Sequence, residues 1–389
     1  MNPIYQIAYA KKNYLEFIKK CQVGPADFVL TPQAEPTAFA RCFAVYGLNL
    51  LKQRDMLEKF RKPIIKGLID GILESRKKYN SAPTDKAYRQ LLAFTLSALS
   101  IYNSLNDDRL AKLVVEQLPN DVESYLNSVG ALKGKAQSGN HAMFIAIFLM
   151  HAKKQLGIDT NDKMKHWIRL HILNMNKFGF WGESSKMQHL LFQNGYHQHE
   201  ILEYLEIKNP NLRSTIKAVQ SMADHYGHFA PYPGGGGCYD YDAVFLLTPN
   251  GIFHDSKTRN LMQKTIQTLL SEQSLEGGWG ESIYIRPRNL KNMWYFILHL
   301  ARALPNFRLF KERIRYAIAL QCPWNNSIKT HWSRYCREWN ESNLWDSWFR
   351  MMTIARIQIA NNPKLVKEWG FINYPGIGFH AHCHAGSDQ

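Results

Sequence analysis

Along this chain, helical segments that are apolar on nearly every side alternate with helical segments that keep one wet face. The first kind covers residues 37–51, 88–102, 141–151, 239–247, 292–304 and 344–359. A helix without a polar face must be surrounded by protein. The second kind covers residues 57–79, 109–129, 162–175, 210–225, 256–271 and 307–319, where apolar residues recur at i, i+3 and i+4. Residues 188–205 read as a further inner helix, so the pattern makes six or seven helical hairpins. No stretch shows convincing period-two alternation, and Pro and Gly fall in the connections, as at Pro233, Gly234, Pro249 and Gly251. The pattern predicts an all-α chain in two layers, with inner helices lining a central cavity and outer helices shielding them. An open superhelix of helical repeats is the alternative.

The chain has 389 residues, long for one compact core but ordinary for a ring of repeated hairpins, so residues 1–389 read as a single domain. Residues 376–389 read as a short mobile tail. No uncharged apolar run reaches the ~18 residues of a membrane span. The first twenty residues mix Tyr, Lys and Glu and lack the apolar run of a secretory signal, which makes the cytoplasm the expected compartment. The six cysteines are scattered without a Cys-x-x-Cys pair and read as reduced thiols.

A net charge of +16 is compatible with nucleic acid, an anionic membrane surface or an anionic small molecule. There is no basic tail and no nucleic-acid-binding motif, so nucleic acid is not expected. Peripheral contact with a membrane surface remains compatible with the charge. The oligomeric state is not legible.

An internal repeat narrows the architecture. Residues 176–184, Asn-Lys-Phe-Gly-Phe-Trp-Gly-Glu-Ser, recur at 274–282 as Ser-Leu-Glu-Gly-Gly-Trp-Gly-Glu-Ser, which places Trp181 and Trp279 98 positions apart. A weaker third copy is sought at residues 321–324 or 330–333. A helix end, then Gln273, then Gly-x-Trp resembles the Gln–Trp repeat of squalene and hopene cyclases. Glycine permits a sharp turn after the outer helix, and the Trp then packs over the helix end as an architectural clamp. Six or seven hairpins would complete an α/α toroid in the families this pattern resembles.

A second resemblance begins at Pro231-Tyr-Pro-Gly-Gly-Gly-Gly-Cys238-Tyr-Asp240-Tyr-Asp242. Gly-Cys238-Tyr239 before an inner helix looks like the Gly-Cys-Tyr of protein prenyltransferase β subunits. Residues 238–244 look like the Asp-x-Asp-Asp-Thr-Ala-Val of squalene-type, or class II, terpene cyclases. On that motif Asp240 takes the place of the middle Asp, the family's proton donor. Cys238 replaces the first Asp, Tyr241 the last, and Asp242 stands where Thr is usual. The prenyltransferase catalytic zinc needs Asp, Cys and His. The segment that should bring the His, residues 289–294, has no imidazole or thiol, and its amides are poor zinc ligands, so no metal site is expected. His380, His382, Cys383 and His384 stand together only in the tail.

The resemblance implies a cyclase, an isomerase or lyase by reaction class, acting on an isoprenoid or isoprenoid-bearing substrate by acid-initiated cyclisation. Asp240 would donate the proton and Asp242 would share or orient it; the bland reading makes either a helix cap. Tyr239, Tyr241, Phe245, Trp294, Trp345 and Trp348 would wall the cavity and stabilise carbocations; ordinary core packing is their alternative role. Arg286, Arg288, Arg334 and Arg337 would form a rim for an anionic group, or else pair with Glu276, Glu281, Glu338 and Glu341. No cofactor is obligatory on this reading, and Mg2+ enters only if the substrate carries a diphosphate. The partner would be a hydrophobic small molecule, anionic if the arginine rim binds it. Two other functions fit such a toroid: a carbohydrate-active hydrolase or lyase with Asp240 and Asp346 or Glu281 flanking a sugar, or a non-catalytic toroid binding a ligand or protein.

Overall fold

The computed structural model describes residues 3–79, 85–182, 188–285, 290–322 and 325–381. It is helical almost throughout. The first part of the chain forms α1 (Pro3–Lys20), α2 (Ala38–Leu50), α3 (Arg54–Lys59), α4 (Arg61–Tyr79), α5 (Lys86–Ile101), α6 (Asp108–Val115) and α7 (Val122–Val129). The middle forms α8 (Ser138–Leu156), α9 (Asn161–Leu173), α10 (His189–Tyr204), α11 (Leu212–Gln220) and α12 (Gly237–Leu247). The last part forms α13 (Ser256–Ser271), α14 (Leu290–Ala301), α15 (Phe307–Gln321) and α16 (Leu344–Asn361). The two short strands, β1 (Ser327–Ile328) and β2 (Arg337–Glu338), pair antiparallel.

Helix starts follow local chemistry. Thr37, Asp107, Asp121, Asp255, Asn306 and Asn343 each turn a side-chain oxygen onto a backbone N–H of the first turn of the helix they precede. The segment expected as one helix over 109–129 breaks into α6 and α7, because Pro119 and the capping Asp121 stop one helix and start the next.

The described chain divides into two compact units. One comprises Met1–Arg54, Lys186–His189 and Ile216–Gly370, and the other Asp55–Ser185, Leu190–Thr215 and Phe371–Gln389. In the first, α16 is buried along most of its length and packs on α12, α2 and α13. In the second, α5 and α8 are the buried helices, with α4, α6 and α9 packed around them. The alternation of buried and half-wet helices thus appears in both units. α14 departs from it: Leu290, Met293, Trp294 and Ile297 form an apolar stripe at i, i+3, i+4 and i+7 that lies exposed. In the second unit the chain is packed through His380, which lies against Phe371, so the ordered backbone extends beyond the expected start of the tail at 376. His382, Cys383 and His384 lie outside the described residues.

Candidate functional site

The repeat turn is the unit from which the site is built. The indole N–H of Trp181 donates to the carbonyl of His171 at 2.8 Å, and that of Trp279 to the carbonyl of Leu269 at 2.8 Å. Each bond reaches back ten residues to a carbonyl in the last turn of the preceding outer helix. Both rings are buried. Ahead of each Trp the chain makes the same turn: Asn176 N–H to Phe180 O at 2.7 Å, and Ser274 N–H to Gly278 O at 2.9 Å. Gly179 and Gly277 take the left-handed conformation the turn requires, with φ of +79° and +100°.

A third copy stands at residues 224–229, Asp-His-Tyr-Gly-His-Phe. There Asp224 N–H donates to His228 O at 2.8 Å and Gly227 has φ +86°. It lies 48 residues after Asn176 and 50 before Ser274, so its spacing was available in the sequence. Phe229 in place of Trp hid it. Residues 330–333 do not supply this turn, since none has a left-handed φ, and Pro323 and Trp324 of the other segment proposed lie outside the described residues. The third copy places His228 where the other two have Phe180 and Gly278. Motif matching missed this histidine, which the fold brings to the candidate site.

His228 lies between two carboxylates. Its Nδ1 is 2.7 Å from Asp240 Oδ2 and its Nε2 is 3.0 Å from Glu272 Oε1. Burial opposes its charge, but Glu272 and Asp240 outweigh burial and hold the imidazole well above its usual range. Arg350, from the middle of α16, closes the network. One guanidinium nitrogen lies 3.3 Å from Asp240 Oδ2 and 3.4 Å from Glu272 Oε2. Its other terminal nitrogen donates to the carbonyls of Gly234, Gly235 and Glu281 at 3.0, 2.7 and 3.1 Å. The glycine loop is therefore buried and pinned from within. Asp240 itself is fully buried, and its Oδ1 accepts the Phe229 N–H at 3.0 Å. It does not cap α12, whose N-cap is Gly236 without a side-chain bond.

A second cluster adjoins it. Arg337 on β2 donates through one nitrogen to Glu281 at 3.2 Å and to Asp346 at 3.4 Å. The Tyr232 hydroxyl bonds the other Glu281 oxygen. Asp346 accepts from Asn343 Nδ2 at 2.7 Å and from the Gly237 N–H at 3.3 Å. Cys238 sits beside these acids. Burial first, then Asp242, Glu281 and Asp346, push its thiol well above the usual range.

The remaining expected residues separate by place. Asp242 is buried one turn from Cys238. Tyr239 packs edge-on to Tyr232, and Tyr241 packs on Phe349. Trp345 and Trp348 join Phe43, Tyr46 and Phe349 in one aromatic cluster. Phe245 lies under the Arg356 guanidinium, 4.1 Å from its centroid. Trp294 is 59% exposed, on the α14 stripe. Arg334 is exposed, Arg337 is buried on its carboxylates, and Arg286 and Arg288 lie outside the described residues. Among the described residues no three His, Cys, Asp or Glu are grouped so that they could hold a metal ion. Among the described residues no helix is long and apolar enough to cross a membrane.

The family model of the prenyltransferase alpha-alpha toroid domain matches residues 6–142 and 119–285. No curated protein matches the chain. Among solved structures, the apo type II terpene cyclase MstE from Scytonema aligns over 94% of this chain and 99% of its own, at 12% identity and a TM-score of 0.49. A variant of that cyclase in complex with geranylgeranyl dihydroxybenzoate, its substrate, aligns over 92% and 98%, at 12% identity and 0.47. Another, in complex with merosterolic acid A, its product, aligns over 93% and 98%, at 14% and 0.46.

Proposed function

Because the chain belongs to the prenyltransferase alpha-alpha toroid domain family, and so has the α/α-toroid fold, we propose that it is an acid-initiated cyclase of the class II terpene type, acting on an isoprenoid or isoprenoid-bearing small molecule. The observation that carries the reading is Asp240, fully buried at the head of α12 with two cationic groups, His228 and Arg350, on one of its oxygens.

Protonating an alkene demands a strong acid in a dry site. When a carboxyl gives up its proton, the carboxylate left behind must be stabilised without water. At Asp240 the His228 imidazolium, the Arg350 guanidinium and the Phe229 N–H already stand where that charge develops. His228 stays protonated and keeps its charge 2.7 Å from the developing carboxylate, and the proton lost by the cyclised cation restores the acid. Asp242 orients the acid from within the same helix. Tyr239, Tyr241, Phe245, Trp345 and Trp348 supply aromatic faces of the kind that stabilise a carbocation, about 2 kcal/mol or more each when dry. The chemistry needs no redox cofactor, and Mg2+ has a role only with a diphosphate-bearing substrate.

The test is Asp240→Asn, which keeps the shape and removes the acid. Purified wild type and variant are compared on a panel of linear prenyl alcohols, diphosphates and prenylated aromatics. Turnover of one class by the wild type and its loss in a folded variant supports the reading. Full activity in Asp240→Asn refutes it.

A further inference from the structure

We propose that Glu281 and Asp346 form a proton-sharing carboxyl pair, a second acid site beside Asp240 whose proton resides on Glu281 and is offered to an alkene from there. The pair takes its substrate class from the cyclase reading, but its existence stands on its own geometry.

The two carboxyls converge on a single nitrogen of Arg337, at 3.2 and 3.4 Å. Two carboxylates that close resist ionising together. The hydrogen bonds decide which one keeps the proton. Asp346 meets only donors: Asn343 Nδ2, the Gly237 N–H and Arg337. Glu281 has Arg337 on one oxygen and the Tyr232 hydroxyl on the other, and a hydroxyl accepts as readily as it donates. Glu281 is therefore the carboxyl with room for a proton.

Charge balance calls for one protonated carboxyl in the joined clusters, and the hydrogen bonds place it on Glu281. Across the joined clusters the carboxyls of Asp240, Glu272, Glu281 and Asp346 face the cations His228, Arg350 and Arg337. One carboxyl lacks a counter-charge even before Asp242 is included. The groups facing Glu281 are Tyr232 from the loop before α12, Cys238 and Tyr239 from α12, Arg337 from β2, and Asp346 and Arg350 from α16. Burial, then the charge of Asp346, push the Glu281 carboxyl up to about 7 against the pull of Arg337, Tyr232 and Arg350.

Position makes this acid useful. The side chains of Asp240 and Asp346 are fully buried, whereas that of Glu281 keeps 13% of its surface exposed. The loop is shaped to it: a Cβ on Gly236 would lie 2.2 Å from Glu281 Oε1. In the transfer the Glu281 O–H bond breaks and the alkene π pair forms the new C–H bond. A carboxylate and a carbocation remain, and the proton lost from the cyclised cation restores the acid.

The experiment is an infrared titration of the full-length protein between about pH 5 and about pH 9, following the carbonyl stretch of protonated carboxyl. A band that disappears with a midpoint near neutrality is expected. It should be absent from Glu281→Gln, and in Asp346→Asn, which removes the neighbouring charge, its midpoint should rise less far above the ordinary glutamate range. A wild type without such a band overturns the proposal with no variant needed. So does a band that survives in Glu281→Gln. A protein that shows the band yet cyclises no isoprenoid keeps the acid pair and removes the cyclase reading.

Discussion

Replacing Glu281 by Gln should flatten the dependence of stability on pH, and the structure sets both sign and scale. In the unfolded chain this carboxyl titrates at its ordinary value of 4.5, and in the folded protein burial and Asp346 push it up to about 7. Below the lower value both states hold the proton. Between the two, the folded state holds it and the unfolded state has released it, so stability falls as pH rises through that window and levels off above it. The gap of about 2.5 pH units, at about 1.36 kcal/mol per unit, is worth about 3 kcal/mol. Gln cannot titrate, yet its amide can accept from Arg337 and bond the Tyr232 hydroxyl. The difference in unfolding free energy between variant and wild type should therefore move in the variant's favour by up to about 3 kcal/mol between about pH 5 and about pH 8. Urea unfolding of both proteins at the two pH values measures it, with the slopes checked for equality. A difference that stays constant across the window, or moves against the variant, refutes the reasoning.

Two further perturbations probe the scaffold and the cation. Trp279→Ala and Trp181→Ala should each cost about 3–5 kcal/mol in denaturant unfolding, because each ring is buried and clamps a helix-end carbonyl; unchanged unfolding would mean that the indoles do not hold the hairpin ends. His228→Gln should cost about 3–5 kcal/mol near neutral pH, since it leaves Asp240 and Glu272 facing each other with one cation fewer. The imidazole's folded pKa is raised, so its stabilisation is complete below about pH 6.5 and is lost as pH climbs through the folded value. Thermal scans should accordingly show the variant's deficit shrinking in alkali, and a deficit that grows there would contradict the assignment.

Periodicity revealed much of the fold because burial imprints itself on the residue pattern. α2, α5, α8, α12 and α16 lie where apolar residues cover the whole helix. The same signal misplaced α14, since an apolar stripe looks alike whether protein covers it or not. At the site, Asp240 was legible from its neighbours in the chain. His228, Glu272 and Arg350 were not, because they lie 12, 32 and 110 residues away and meet Asp240's network only in the folded state. Arg337 illustrates the limit of charge reading. Its position suggested an anion rim, but whether a guanidinium meets a ligand or Glu281 depends on a contact made across 56 residues.

One local device links architecture to chemistry. The turn before Trp181 and Trp279 exists because a left-handed glycine reverses the chain at a helix end, and in those copies the next two residues are apolar or small. In the third copy the turn is kept, but the residue after glycine is His228 and the clamp is Phe229, whose N–H now holds Asp240. Asp224, at the head of that turn, accepts the N–H groups of Tyr226 and His228 at 2.8 and 3.0 Å, while Tyr295 bonds its other oxygen at 2.8 Å. The backbone that carries the imidazole is thus fixed by the fold's own repeat, apart from the two carboxylates that meet the ring. A turn built for stability is a suitable mount for a buried charge, because a group that must stay between Asp240 and Glu272 without water cannot be carried on a backbone that moves.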